Sequence, residues 1–129
     1  MFRPEMNLQR LNSSCESLFF PTFDGEEFLQ CLHELLRVER DWIPREKGYS
    51  LYIRPSIIST FPQLGLVAAE RVKLYVICSP VGPYYPEGFK PISLLASEKN
   101  VRAWPGGVGN KKLGTIHTPN RMIICVRDR

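Results

Sequence analysis

Val72-Lys73-Leu74-Tyr75-Val76-Ile77-Cys78 is the stretch on which the fold turns. It is short, nearly all apolar, and dominated by β-branched, aromatic and aliphatic residues. A run of that length and composition reads as a β-strand rather than a helix. Because the apolar residues do not alternate with polar ones, the run predicts a strand buried on both faces. Upstream, Tyr49 to Thr60 is rich in Tyr, Leu and Ile and predicts a second strand. Pro55 cannot donate a ladder hydrogen bond, so the far half of that strand is expected to be an edge or a bend.

Outward from these strands the period changes. Met6, Leu8, Leu11, Cys15, Leu18 and Phe19 recur mostly every three or four residues, which predicts a helix from about Met6 to Phe20, with Pro4 in its first turn. A second helix is expected after Phe23. Asp24 can cap it, Glu27 stands three residues on at capping-box spacing, and Phe28, Leu32, Leu35 and Leu36 line one face. Downstream, Ser79 to Pro91 holds four prolines with Gly82 and Gly88, which reads as a linker or domain boundary. Ile92 to Ser97 is a short predicted strand, Trp104 to Gly114 a glycine-rich loop, and Met122 to Val126 an apolar run of strand type. The order is helix, helix, strand, strand, linker, strand, loop, an α+β pattern. Two strands alone make a marginal sheet, so the pattern suggests further sequence on its N-terminal side.

Composition bounds the function. The 129 residues are 43% hydrophobic and 11% aromatic, in the globular range and enough for one domain or one domain and part of another. The formal charge of +4 is uneven: Lys99 to Arg129 carries seven Lys or Arg against Asp128 alone. That basic end can serve an anionic partner or simply be a solvated tail. No nucleic-acid-binding signature accompanies it, so nucleic acid is not an expected partner. No apolar run approaches a membrane span, and the start does not read as a signal or transit peptide, which points to a cytoplasmic location. Cys15, Cys31, Cys78 and Cys125 form no C-x-x-C pair, so no zinc or redox motif is expected. The first three sit in apolar patterns, where buried free thiols are the default. His33 has no companion at metal-ligand spacing and reads as an ordinary surface or packing residue.

Two stretches are candidates for chemistry. Trp104-Pro105-Gly106-Gly107-Val108-Gly109-Asn110-Lys111-Lys112 can expose backbone N–H groups to a phosphate. It fails the P-loop pattern, and a glycine turn with exposed lysines explains it equally. In Ser50-Leu51-Tyr52-Ile53-Arg54-Pro55 a strand puts Tyr52 and Arg54 on one face. A guanidinium fork beside a phenol suits a carboxylate, although an exposed strand face carries such residues without any ligand.

Several collinear blocks resemble the branched-chain amino acid aminotransferases, class IV pyridoxal-phosphate enzymes. They are Phe2-Arg3-Pro4-Glu5-Met6-Asn7-Leu8-Gln9-Arg10-Leu11, the Ser50–Pro55 stretch, Leu64-Gly65-Leu66, Ser79-Pro80-Val81-Gly82-Pro83-Tyr84, Pro91-Ile92-Ser93-Leu94-Leu95-Ala96, and Val101-Arg102-Ala103-Trp104-Pro105-Gly106-Gly107-Val108-Gly109-Asn110. The first block is most similar to the vertebrate cytosolic form. The resemblance implies transfer of the amino group of leucine, isoleucine or valine to 2-oxoglutarate, giving glutamate, with pyridoxal 5'-phosphate as cofactor. It implies that Lys112 forms the Schiff base and shuttles the substrate proton, a role that burial of its amine would favour. By the same resemblance Arg3 holds the cofactor phosphate, Arg102 has a cofactor-side role, and Tyr52 and Arg54 lie near the substrate carboxylate. No metal is implied. The implied architecture is the fold-type IV aminotransferase: residues 1–87 a partial small domain with the start of the linker, and residues 88–129 the start of the large domain.

The resemblance lapses after Gly114. Thr115-Ile116-His117-Thr118 stands where the family continues Gly-Asn-Tyr-Gly, so His117 replaces a tyrosine that shapes the cofactor pocket. The chain is therefore expected to be a fragment, truncated at both ends and inactive by itself. The family works as dimers, so a homodimer or pairing with an intact subunit is expected. The alternative is a non-catalytic, pseudogene-like product that associates with an intact aminotransferase subunit.

Overall fold

The computed structural model describes residues 1–63, 69–85, 88, 90–93 and 103–114. The chain divides into two compact units, Met1–Gly88 and Phe89–Arg129. The first is α+β: helix α1 (Pro4–Ser17), helix α2 (Gly25–Val38), a 3-10 turn (Arg40–Trp42), and strands β1 (Ser50–Ser59) and β2 (Val72–Val81) in an antiparallel pair.

Helix α1 starts where proline is tolerated, since Pro4 needs no N–H in a first turn. Its buried line is Leu8 and Cys15 with Ser14, whose hydroxyl donates to the Arg10 carbonyl. The rest of the expected stripe is thinner: Met6, Leu18 and Phe19 are exposed. The connection to α2 is pinned by Asn12. Its amide donates to the Phe23 carbonyl at 2.8 Å and its oxygen accepts from the Phe23 N–H at 3.2 Å, as a strand partner would. Asp24 then caps α2, its carboxylate accepting from the N–H groups of Glu26 and Glu27. That satisfies two of the orphan donors at the helix start. Leu32 is the buried centre of α2, and a Cβ on Gly25 would lie 3.8 Å from the Leu8 Cβ, so α2 begins close against α1.

The β1–β2 register pairs Ser50 with Val81 and Ser59 with Val72. Opposed residues share a face, so one face gathers Leu51, Ile53, Pro55 and Ile57 with Leu74, Val76, Cys78 and Pro80. The other carries Tyr52, Arg54, Ser56 and Ile58 with Lys73, Tyr75, Ile77 and Ser79. Leu35, Leu36 and Trp42 meet the first face across a groove of about 320 Å³ whose sheet side includes Leu51, Val76 and Cys78.

Two expectations are corrected here, and the alternatives for Pro55 are resolved. The Val72–Cys78 run is not buried on both faces: no residue of β2 is fully buried, and Ile77 is 49% exposed. The cause is a sheet of two strands among the described residues, with α2 beside one face only. Of the two alternatives for Pro55 the structure shows the edge, not the bend: β1 continues to Ser59 as one edge of a two-stranded sheet. The Thr60 N–H donates to the directly opposed Arg71 carbonyl. Alternation therefore places Pro55 in a non-hydrogen-bonded pair, with its nitrogen on the outer edge. Pro80 occupies the equivalent place on β2. Of the cysteines, Cys15 is buried but Cys31 and Cys78 are exposed. Cys31 lies one position off the Phe28–Leu32–Leu35 stripe, and Cys78 lines the open groove.

In the second unit the glycine-rich segment is a double turn. Trp104 to Gly107 has Pro105 then Gly106 at φ 78°, and the Gly107 N–H donates to the Trp104 carbonyl at 3.0 Å, the requirements of a type II turn. A second turn follows, with the Lys111 N–H donating to the Val108 carbonyl. The predicted strand Ile92–Ser97 lies largely, and the Met122–Val126 run wholly, outside the described residues.

Candidate active-site residues

Arg3 precedes α1 and is exposed, with φ 46° and ψ 53°. A left-handed arginine costs about 1–2 kcal/mol relative to a right-handed one. Neighbours hold it there: the Asn7 amide donates to the Arg3 carbonyl at 3.1 Å, and the Arg10 guanidinium donates to the Asn7 oxygen at 2.8 Å. The backbone of Arg3 is thus held, and its exposed side chain adds a positive charge at the positive end of the helix dipole, where Glu5 is the acidic residue of the first turn.

Tyr52 and Arg54 share the face of the sheet turned away from α2, as the strand period predicts. The guanidinium carbon of Arg54 lies 5.2 Å from the centre of the Tyr52 ring, a cation–π contact rather than a fork alongside the phenol oxygen. Both are exposed. Opposite them stand Ser79, across from Tyr52, and Ile77, across from Arg54. The face thus sets a phenol, a hydroxyl and a guanidinium beside one branched aliphatic side chain. Ser79 and Ile77 were not legible as neighbours of this pair, since only the register brings them together.

Lys112 belongs to the second unit, immediately after the double turn. It is exposed, where burial would have favoured the neutral amine, while the next residue, Leu113, is buried. The glycines before it answer to packing. A Cβ on Gly107 would come within 2.8 Å of the Trp104 indole nitrogen, and one on Gly109 would clash with Ala103. These glycines are needed for the turns themselves. Arg102 and His117 lie outside the described residues, and His33 is exposed on α2. Among the described residues no cluster of His, Cys, Asp or Glu could hold a metal, and no helix is long and apolar enough to cross a membrane.

No protein-family model matches the chain. Individual relatives do. The chain is 50% identical over 119 residues to the cytosolic branched-chain-amino-acid aminotransferase of Saccharomyces cerevisiae, covering 92% of this chain and 32% of that protein. It is 49% identical over 112 residues to branched-chain-amino-acid aminotransferase 2 of Bacillus subtilis, covering 87% and 31%. With the mitochondrial enzyme of Bos taurus it shares 45% over 124 residues, 95% of this chain and 32% of that one. Cytosolic and mitochondrial forms of the same yeast match about equally, at 50% and 47%, so the match does not favour a compartment. The chain spans about a third of the length of these relatives, and over some nine-tenths of its own length it is similar to branched-chain-amino-acid aminotransferases.

Proposed function

We propose that this chain supplies a segment of a pyridoxal-phosphate-dependent branched-chain-amino-acid aminotransferase, moving the amino group of leucine, isoleucine or valine to 2-oxoglutarate in the cytoplasm. The observation that carries this is identity of 45–50%, sustained along most of the chain, to relatives named for that one activity. In this reading residues 1–87 belong to the small domain of a fold-type IV enzyme and residues 88–129 begin the large one.

The chemistry of the residues supports a cofactor of this kind. Arg3 offers an exposed guanidinium beside a helix N-terminus to a phosphate. Lys112 stands exposed at the exit of a turn whose shape its glycines dictate. Arg102 joins the cofactor side on the family resemblance. When bound, the cofactor supplies an electron sink that makes the amino-acid α-proton removable. The Lys112 amine takes that proton and returns it. Arg54 and Tyr52 hold the substrate carboxylate, the guanidinium through two oxygens and the phenol through a third hydrogen bond. Leaving the ring costs Arg54 about 0.5–1 kcal/mol, since the contact is exposed, and a charge-assisted pair exceeds that.

A segment exchange tests this. The matched 119 residues of the yeast cytosolic relative are replaced by those of this chain, and leucine-dependent formation of glutamate is measured. The exchanged enzyme is expected to be active, and Lys112→Ala to abolish turnover. A folded exchange enzyme that is inactive, or one indifferent to Lys112→Ala, would overturn the reading.

One feature favours a second reading, a non-catalytic product that pairs with an intact subunit. Among the described residues the buried apolar set is only Leu8, Cys15, Leu32 and Leu113, while Phe2, Phe19 and Tyr84 are each more than four-fifths exposed. A polypeptide of these 129 residues alone is accordingly expected to show no leucine–2-oxoglutarate exchange.

A further inference from the structure

We propose, on the reading of Arg3 as a ligand of the cofactor phosphate, that Asn7 is a positioning residue for Arg3 and that Arg10 sets the direction in which Asn7 acts. The N-cap of α1 is an arginine on left-handed backbone, at φ 46° and ψ 53°. Glycine visits that region routinely, asparagine and aspartate occasionally, and arginine at a cost. A guanidinium has no acceptor and cannot cap a helix, and Arg3 makes no side-chain cap bond. Capping therefore does not explain the strain. Strain of this kind gathers where a side chain must be aimed.

The two helix starts show what replaces ordinary geometry at Arg3. At α2 the Asp24 carbonyl accepts the backbone N–H of Phe28 at 3.1 Å, the first bond of a regular helix. At α1 the corresponding acceptor is the Arg3 carbonyl, which the left-handed backbone turns. Among the described residues no backbone N–H donates to it, and the Asn7 side-chain amide does so at 3.1 Å. Asn7 is the fourth residue of α1, and side chains in a helix lean back toward its N-terminus, which brings the amide within reach.

An asparagine amide can sit either way round, and Arg10 decides which. A guanidinium only donates. The Arg10 guanidinium donates to the Asn7 Oδ1 at 2.8 Å, which leaves Nδ2 for the Arg3 carbonyl. Spacings of four and then three residues put Arg3, Asn7 and Arg10 on one side of α1. Among the described residues the ion pairs are Arg37–Glu34 and Arg40–Asp41, so no carboxylate neutralises Arg3 or Arg10. Left-handed and right-handed backbone send the Cα–Cβ bond of residue 3 in different directions. Asn7 thus sets where the Arg3 side chain departs, and phosphate affinity scales with the left-handed fraction of Arg3.

Asn7→Ala tests this. It removes the amide, adds no charge and places the best helix former in α1, so helix formation itself does not suffer. In the 129-residue chain the backbone chemical shifts of Arg3 are expected to carry a left-handed signature and to lose it in Asn7→Ala. In the segment-exchange enzyme, pyridoxal phosphate titrated into the apoenzyme should bind about fivefold more weakly in Asn7→Ala, the equivalent of one ordinary hydrogen bond. In an Arg3→Gly background the same substitution should cause no further loss, because the side chain that Asn7 aims is gone. An Arg3 that stays left-handed in Asn7→Ala, an unchanged affinity, or an equal loss in both backgrounds would overturn the proposal while leaving Arg3 a phosphate ligand. An Arg3→Gly enzyme of undiminished affinity would instead overturn the reading of Arg3, and the proposal with it.

Discussion

The side-chain amide of Asn7 donates to the carbonyl of Arg3 at 3.1 Å, and Arg3 carries that carbonyl on a left-handed backbone. A candidate phosphate-binding arginine is thus held in a conformation that arginine disfavours. Arg3→Gly separates the two consequences. Glycine removes the backbone cost, so α1 is expected to gain up to about 1 kcal/mol in stability. In the segment-exchange enzyme, cofactor affinity should fall at least tenfold, as the loss of one charge-assisted hydrogen bond requires. Denaturant titration and cofactor titration read the two effects. Loss of both together would mean that Arg3 is structural.

Cys15 gives a pH dependence with a definite sign. Burial, and then the negative charge of Glu16, push its thiol above the ordinary value, partly offset by a backbone hydrogen bond. The unfolded thiol ionises near pH 8.5, while the folded one stays neutral to higher pH. Its contribution to stability is therefore fully present below the unfolded value and is lost as pH rises toward the folded one. Stability should decline above about pH 8.5, and Cys15→Ala should remove that part of the decline. With a thiol reagent at pH 8, exposed Cys31 should react well before Cys15.

The double turn before Lys112 predicts a sharp response at Gly109. A Cβ there would come within 2.8 Å of the Ala103 Cα and clash with the Ala103 Cβ. Gly109→Ala forces backbone to move and is expected to cost about 1–3 kcal/mol. Asn110→Ala, for which no such clash arises, should cost less. Hydrogen exchange at the Lys111 N–H, which closes the second turn, measures the difference.

Local signals were readable where one residue dictates geometry. Asp24 caps α2 and Pro4 opens α1 because helix ends demand those chemistries. The same-face placement of Tyr52 and Arg54 followed from the strand period alone. Burial was less legible, because it depends on what lies across a face. The Val72–Cys78 run is apolar yet half exposed, with α2 beside only one side of the sheet. Pro55 left an edge and a bend both open for a related reason: whether its nitrogen faces a partner or an open edge depends on a register that no single strand specifies. The roles of Arg3 and Lys112 came from resemblance, since a lone arginine and a lysine pair carry no pattern of their own.

The decisive observation is which lysine takes the cofactor. The segment-exchange enzyme is loaded with pyridoxal phosphate, reduced with borohydride, digested, and the pyridoxyl group located by mass spectrometry. One adduct per chain on Lys112 is predicted, absent in Lys112→Ala and not transferred to Lys111. An adduct on Lys111, or label scattered over exposed lysines such as Lys47 and Lys73, would contradict it.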